Sequence, residues 1–322
     1  YMGLGSFNAR RSARNFTDDT FPQAVDYCHR HGVKVYLTLN TLLTDRELPE
    51  AAETLRKASA WGVDAVLVQD WGLWQLARTA APDLPLHAST QMSLHTLAGA
   101  RLAAELGMER VVLARELSNR DVETICRGCG AEVEVFGHGA LCMCYSGQCA
   151  MSAMIGGRSG NRGMCAQPCR MQYSLGGRMD DYPMSLKDNC LVEYLDDLRR
   201  LGVSSLKIEG RMKSPLYVST VIAHYRELLD GLPPATTRAD LETVFSRRTT
   251  ALYADGYPKS NLLPESSATA LDPTSLGHLG TPVGTVKRLT KDREGRTWLR
   301  FHTARALERH DGLQFASEGG KP

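Results

Sequence analysis

Five of the chain's nine cysteines fall within residues 136–170, "FGHGALCMCYSGQCAMSAMIGGRSGNRGMCAQPCR". Four of them, Cys142, Cys149, Cys165 and Cys169, are spaced C-x6-C-x15-C-x3-C. Thiolates are soft ligands, and four can complete the protein ligation of an iron–sulfur cubane. Glycines in the same segment let the backbone wrap a bulky group and aim its amides at sulfides. Structural zinc is a second reading, although zinc ligands usually come as tighter pairs than x6 and x15. Unligated thiols are a third. Cys144 fits none of the four slots, and Cys190, in "SLKDNC", is the reserve fourth ligand if Cys169 is not used.

The pair Cys126 and Cys129, in "CRGCG", has a metal-like spacing. It falls at the end of a helical pattern entering a strand, which in a parallel barrel is the face opposite the site-bearing strand ends. That position separates it from the other four. Cys28 lies on an amphipathic helix and reads as a core residue.

Short apolar or β-branched runs must carry this segment. They occur at 1–5, 34–40, 65–70, 84–90, 110–116, 133–139 and 205–210, and near-continuous apolar runs imply strands buried on both faces. Amphipathic patterns at 21–32, 47–62, 95–107 and 190–202 lie between them, each ending in a glycine helix stop. Strand–helix repetition of this kind predicts a parallel α/β fold. The strands run out into polar residues, among them Asn40, Asp70, Gln91, Glu116, His138 and Glu209. In a (β/α)8 barrel those ends build the active site. Seven strands leave such a barrel one short. The abrupt start at Tyr1, inside "YMGLG", suggests that the first strand lies upstream.

The expected architecture is therefore a TIM-like (β/α)8 barrel over 1–231 lacking its first strand, with a Cys-rich cluster segment at 139–190. A linker with a helix follows at 232–275, and a partial β-rich domain at 276–322. No run of eighteen apolar residues exists to span a membrane, and no signal peptide is visible. With 38 basic and 36 acidic residues, the net charge of +2 is too balanced to advertise nucleic-acid binding, so RNA contact would need a local patch. Nine cysteines without a secretory signal point to a reducing, cytoplasmic compartment. "GLGSFN" lacks the third glycine of a dinucleotide fingerprint, and neither HExxH nor GxSxG occurs.

The block "EVFGHGALCMCYSGQCAMS…GRSGNRGMCAQPCR", together with "SLKIEGRMKSPLYVSTVIAHYR", "LPLHASTQMSLHT" and "RVVLARELS", resembles the collagenase-like proteins of peptidase family U32. The resemblance covers residues 1 to about 260. It implies two activities. The older family label is peptidase. Better-understood bacterial members are iron–sulfur proteins of oxygen-independent hydroxylation, acting on a cytidine of 23S ribosomal RNA, on the wobble uridine of transfer RNA, or on the ubiquinone ring. The RNA branches depend on prephenate or its pathway. In the tRNA branch the ligand pattern maps onto Cys142, Cys149, Cys165 and Cys169, implying a [4Fe-4S] cluster.

A protease would need an activated nucleophile or a metal-bound water. His87 with Ser89, or His138 near Ser146, could be assembled into such a site, but no local motif supports a triad. A hydroxylase has a clearer logic, because a cluster can pass single electrons or hold a substrate oxygen at an open iron. A non-enzymatic cluster protein is a third class. For an enzyme, His87, Gln91, His138 and Glu209 are the candidates for substrate positioning and catalysis. Arg158, Arg162, Lys187, Lys207 and Arg211 are the candidates for holding an acidic co-substrate such as prephenate, or RNA phosphates. Each of these cations could equally pair with a carboxylate or face water. RNA is the expected partner. The substrate base, the oxygen and electron donors and the oligomeric state are not legible.

Overall fold

The computed structural model describes residues 1–5, 7–9, 15–210, 213–244, 247–251, 270–273, 280–303, 306–307 and 312–313. Arg211 and the polar stretch 252–269 lie outside the described residues. The chain divides into two units, 1–279 and 280–322.

The first unit alternates strand and helix. β1 (Met2–Gly3), α1 (Thr20–Arg30), β2 (Tyr36–Leu39), α2 (Leu48–Ala60), β3 (Ala65–Val68), α3 (Trp71–Ala80) and β4 (Leu86–Ala88) open it. They are followed by α4 (Leu97–Glu105), β5 (Met108–Val112), α5 (Asn119–Gly128) and β6 (Glu132–Ala140). The helices start where side chains satisfy orphan amides. Asp70 accepts from Leu73 N at 2.9 Å, Thr96 from Gly99 N at 3.1 Å, and Ser118 forms a reciprocal capping box with Asp121. The Cys-rich segment follows, with α6 (Met151–Gly156) and the hairpin β7 (Tyr173–Leu175) and β8 (Arg178–Asp181). Then come β9 (Asp188–Cys190), α7 (Leu195–Leu201), β10 (Ser205–Ile208), α8 (Pro215–Leu229), α9 (Arg238–Val244) and β11 (Thr249–Thr250).

All seven predicted strands are present. β1 to β6 pair in sequence order, all parallel, and β10 adds in parallel to β6. Two strands of the central sheet were not expected, nor was the separate hairpin β7–β8. β9 runs antiparallel against the last residues of β6, with His138 opposite Cys190, and β11 pairs in parallel with β9. Residues 232–275, expected as a linker with a helix, thus supply a strand to the central sheet. They also supply α9, which packs on α8 through Leu241 against Tyr217, Val221 and Tyr225.

One face of the sheet is apolar. Leu37, Leu39, Val66, Val68, Val133 and Val135 pack there with helix residues such as Leu55, Leu73 and Ile125. Each such side chain contributes about 1.5–3 kcal/mol on burial. Cys129 belongs to this core, and Cys28 and Cys126 pack against it. Burial raises the Cys126 thiol to about 11. The thiol pair therefore sits where β6 begins, away from the cysteine segment that leaves its other end.

The other face carries a charged knot. Glu134, fully buried, is bound by Tyr1 Oη and by Ser205 Oγ at 2.8 Å, with Arg110 and Lys207 each at 3.3 Å. Lys207 Nζ stands 3.6 Å from the centre of the Tyr1 ring. Burial alone would push the Glu134 carboxyl up, but Lys207, Tyr1, Ser205 and Arg110 outweigh it and hold the group below its usual value. Tyr1 precedes β1 and Lys207 belongs to β10, so the sheet curls far enough to bring side chains from its two extremes together. Among the described residues no backbone pairing joins β1 to β10.

The second unit holds an antiparallel pair, β12 (Val286–Lys291) and β13 (Thr297–Phe301).

Candidate active site

The cysteine segment leaves the sheet at the end of β6 and is tied back to neighbouring strand ends. Gly139 has φ +116°, and a Cβ there would stand 2.5 Å from the Glu209 carbonyl oxygen. Only glycine lets β6 pass so close to the exit of β10. Further on, Glu116 at the exit of β5 accepts two bonds from Ser146, from N–H at 3.0 Å and from Oγ–H at 3.2 Å. Gly147, with φ +79°, lies against Gln91. Ser152 Oγ accepts from Ala166 N at 3.0 Å, and Gln167 N donates to Cys165 Sγ at 3.3 Å.

Two arginines complete the fastening. Arg162 pairs with Glu47 and donates to the Leu42 carbonyl at 2.7 Å. This contact lowers the Glu47 carboxyl to about 2. Arg170, buried, donates to the carbonyls of Leu186 and Leu141 and to Ser185 Oγ, so it braces the backbone on both sides of the segment.

Beneath lies a cavity of about 360 Å³ lined by Cys142, Cys149, Cys165 and Cys169. Cys144 and Cys190 do not line it. Cys190 is buried with Tyr217, Val221 and Tyr225. The Cys144 thiol is raised to about 11, first by burial and then by Cys149 and Cys142. Burial also raises Cys142 and Cys169, with Arg115 and Arg170 respectively opposing the rise. Such thiols stay protonated until a metal takes the proton's place. Among the described residues no three thiol, imidazole or carboxylate groups stand close enough to share one metal ion. The four cavity thiols surround a space instead, and a cluster that distributes its ligands over several irons fits that arrangement.

The cavity walls are the strand ends. Asn40, Ser89 and Gln91 line it, with Asn40 Nδ2 donating to Ser89 Oγ at 3.1 Å and Gln91 N donating to the same oxygen at 3.2 Å. Phe136 and Tyr1 supply aromatic surface. Five cations also line it: Arg115, Arg170, Lys207, Lys213 and Arg247. Lys213 and Arg247 share the buried Asp188, at 3.1 and 3.0 Å. Burial lowers Lys213 despite that partner.

Of the sequence candidates, Gln91, Glu209 and Lys207 reach the cavity with the four cysteines. His87 does not line it: it is buried against Tyr36, and burial lowers it to about 4. His138 is buried against α8, its Nδ1 3.2 Å from Tyr225 Oη. Arg158 is exposed and bonds the Met164 carbonyl, Arg162 acts on Glu47, and Lys187 lies off the cavity. Neither serine considered as a nucleophile is hydrogen-bonded to its histidine among the described residues. Ser89 Oγ takes bonds from Asn40 and Gln91, and Ser146 Oγ is engaged by Glu116.

Sequence reasoning missed Arg115, Asp188 and Arg247. Arg115 had a usable signal, since it directly precedes Glu116 at a strand exit. Asp188 and Arg247 had none, because they are 59 positions apart and meet only through β9 and β11.

The sequence model described as peptidase family U32 matches residues 1–263. A 23S rRNA 5-hydroxycytidine C2501 synthase of Escherichia coli is 38% identical, over 91% of this chain and 46% of its own length. The tRNA hydroxylation protein P1 of Bacillus subtilis is 34% identical, over 72% of this chain and 58% of its own. A collagenase of Porphyromonas gingivalis is 33% identical, over 80% and 67%. The chain thus spans about half the length of the first two relatives.

Proposed function

The chain belongs to peptidase family U32, and from that footing we propose that it acts in oxygen-independent hydroxylation of a pyrimidine in RNA. One observation carries the reading: four thiols and five cations line a single cavity at the strand exits. The similarity to RNA-hydroxylating relatives supports it. The curled parallel ladder is read as part of a (β/α)8-type barrel.

In this proposal Cys142, Cys149, Cys165 and Cys169 hold a [4Fe-4S] cluster. When bound, the cluster supplies one-electron chemistry beside the substrate. The protein's own groups do the rest. Asn40, Ser89 and Gln91 offer amide and hydroxyl partners to a base edge. The cavity cations receive an acidic co-substrate, for which prephenate is the named candidate. A space of about 360 Å³ is too small for a duplex. The RNA would therefore present its target as an unpaired, splayed-out nucleotide. Among the described residues no helix is long and apolar enough to cross a membrane. An RNA substrate of this kind places the work in the cytoplasm.

Nucleoside mass spectrometry of ribosomal and transfer RNA from a strain lacking the gene tests the reading. The expected result is loss of one hydroxylated pyrimidine, restored by the wild-type gene. An unchanged nucleoside profile in both RNA pools would sink it and return attention to the peptidase label carried by the Porphyromonas relative.

A further inference from the structure

The five cavity cations are not equivalent. Lys207 is committed to Glu134, Lys213 and Arg247 to Asp188, and Arg170 to two carbonyls and a hydroxyl. Arg115 differs. Its guanidinium lies 3.7 Å over the Phe136 ring, and its Nε is buried without an acceptor. Among the described residues no ion pair or hydrogen bond reaches its side chain; neighbouring Glu116 bonds Ser146 through Oε1 and feels the Arg115 charge without making a hydrogen bond to it.

A guanidinium in a partly enclosed site without an acceptor is costly unless an anion arrives. Its planar fork matches an oxyanion with two parallel N–H···O bonds. Stacking on Phe136 fixes the plane, so little freedom is lost on binding. The ring also provides apolar surface for a carbon skeleton. Position adds a second constraint, because Arg115 and Cys142 line the same cavity. An anion held here lies next to the proposed cluster.

We propose that Arg115 is the residue that anchors the carboxylate of the small acidic co-substrate beside Cys142. The assignment rests on the function proposed above and names the residue on which the co-substrate docks. A phosphodiester is the other source of oxyanion, but it carries a ribose on each side and suits the rim. A small free acid carries no such flanking groups.

The test is calorimetric titration of iron-loaded protein, handled without oxygen, with prephenate, inorganic phosphate, cytidine 5′-monophosphate and a short unpaired RNA. Wild type binds prephenate. Arg115→Ala and Arg115→Gln bind it at least ~10-fold more weakly, as expected for loss of charge-assisted bonds. Iron content and RNA affinity stay unchanged, and millimolar guanidinium partly restores binding to Arg115→Ala. Should Arg115→Ala lose iron, Arg115→Gln and Arg115→Lys with normal iron carry the comparison. Prephenate binding unaltered in iron-replete variants overturns the assignment and leaves the hydroxylase reading intact. So does an equal loss of phosphate and nucleotide binding, which would make Arg115 a phosphate contact. Wild type that binds RNA but no prephenate removes both the co-substrate and its anchor. Wild type that binds neither points to failure of the RNA reading itself.

Discussion

Gly147 lies so close to Gln91 that a Cβ on the glycine would stand 2.2 Å from the Gln91 carbonyl oxygen. The contact seats the loop between Cys142 and Cys149 on the exit of β4. It also needs φ +79°, a conformation that costs an L-residue about 1–2 kcal/mol. Gly147→Ala should therefore displace the loop and lower bound iron while leaving far-UV circular dichroism near wild type. Gly156→Ala, where a Cβ meets open space, is the control and should keep its iron. Equal iron in the two variants would remove Gly147 from the account of the site.

The ligand set predicts an asymmetric cysteine scan. Alanine at Cys142, Cys149, Cys165 or Cys169 should abolish or sharply reduce iron in protein purified without oxygen. Cys144→Ala should keep it, as should Cys190→Ala, which instead opens a gap beside Tyr217 and Tyr225 and lowers thermal stability. Colorimetric iron assay with a melting curve on each variant separates the outcomes. Iron lost from Cys190→Ala at normal melting temperature would move the fourth ligand there.

The charged knot under the cavity should be intolerant of half-removal. Glu134→Ala removes the fully buried carboxylate that faces Lys207 and Arg110, although Arg110 keeps its pair with Glu132 at 2.6 Å. Breaking such a pair from one side costs about 3–5 kcal/mol. Urea unfolding is the measurement, and a loss below ~1 kcal/mol would mean that water reaches the knot.

His87 predicts a pH dependence. Its folded value of about 4 lies below the ordinary 6.5, so between these values the unfolded chain binds the extra proton. Stability from this group is fully present above pH 6.5 and declines as pH falls toward 4. From pH 7.5 to 5 the loss is about 2 kcal/mol. His87→Asn should flatten that slope in urea titrations, whatever its effect at neutral pH. An unchanged slope would mean that another group titrates.

Much of the fold was legible because its signals are local. Seven apolar runs, glycine stops and capping residues each act within a few positions of the chain, and all seven strands formed where those runs lie. The candidate thiols were legible for the same reason, since four cysteines within one glycine-rich segment need no distant partner to be noticed. The cavity cations were not. Lys207 and Arg158 read alike as sequence, yet one reaches the cavity from β10 and the other faces solvent. His87 and His138 looked like mouth residues because they sit near strand ends, but packing buried one against Tyr36 and the other against α8.

The sequence by itself determined the strand–helix alternation, the family and the four-thiol spacing, all properties of residues near one another along the chain. Only the tertiary structure decided which charges neutralise each other. Asp188 holds Lys213 and Arg247, Glu134 holds Arg110 and Lys207, and Arg115 is left over its aromatic ring without an acceptor among the described residues. Electrostatic pairing depends on distance and burial in space, and the chain brings these groups together only when the sheet curls.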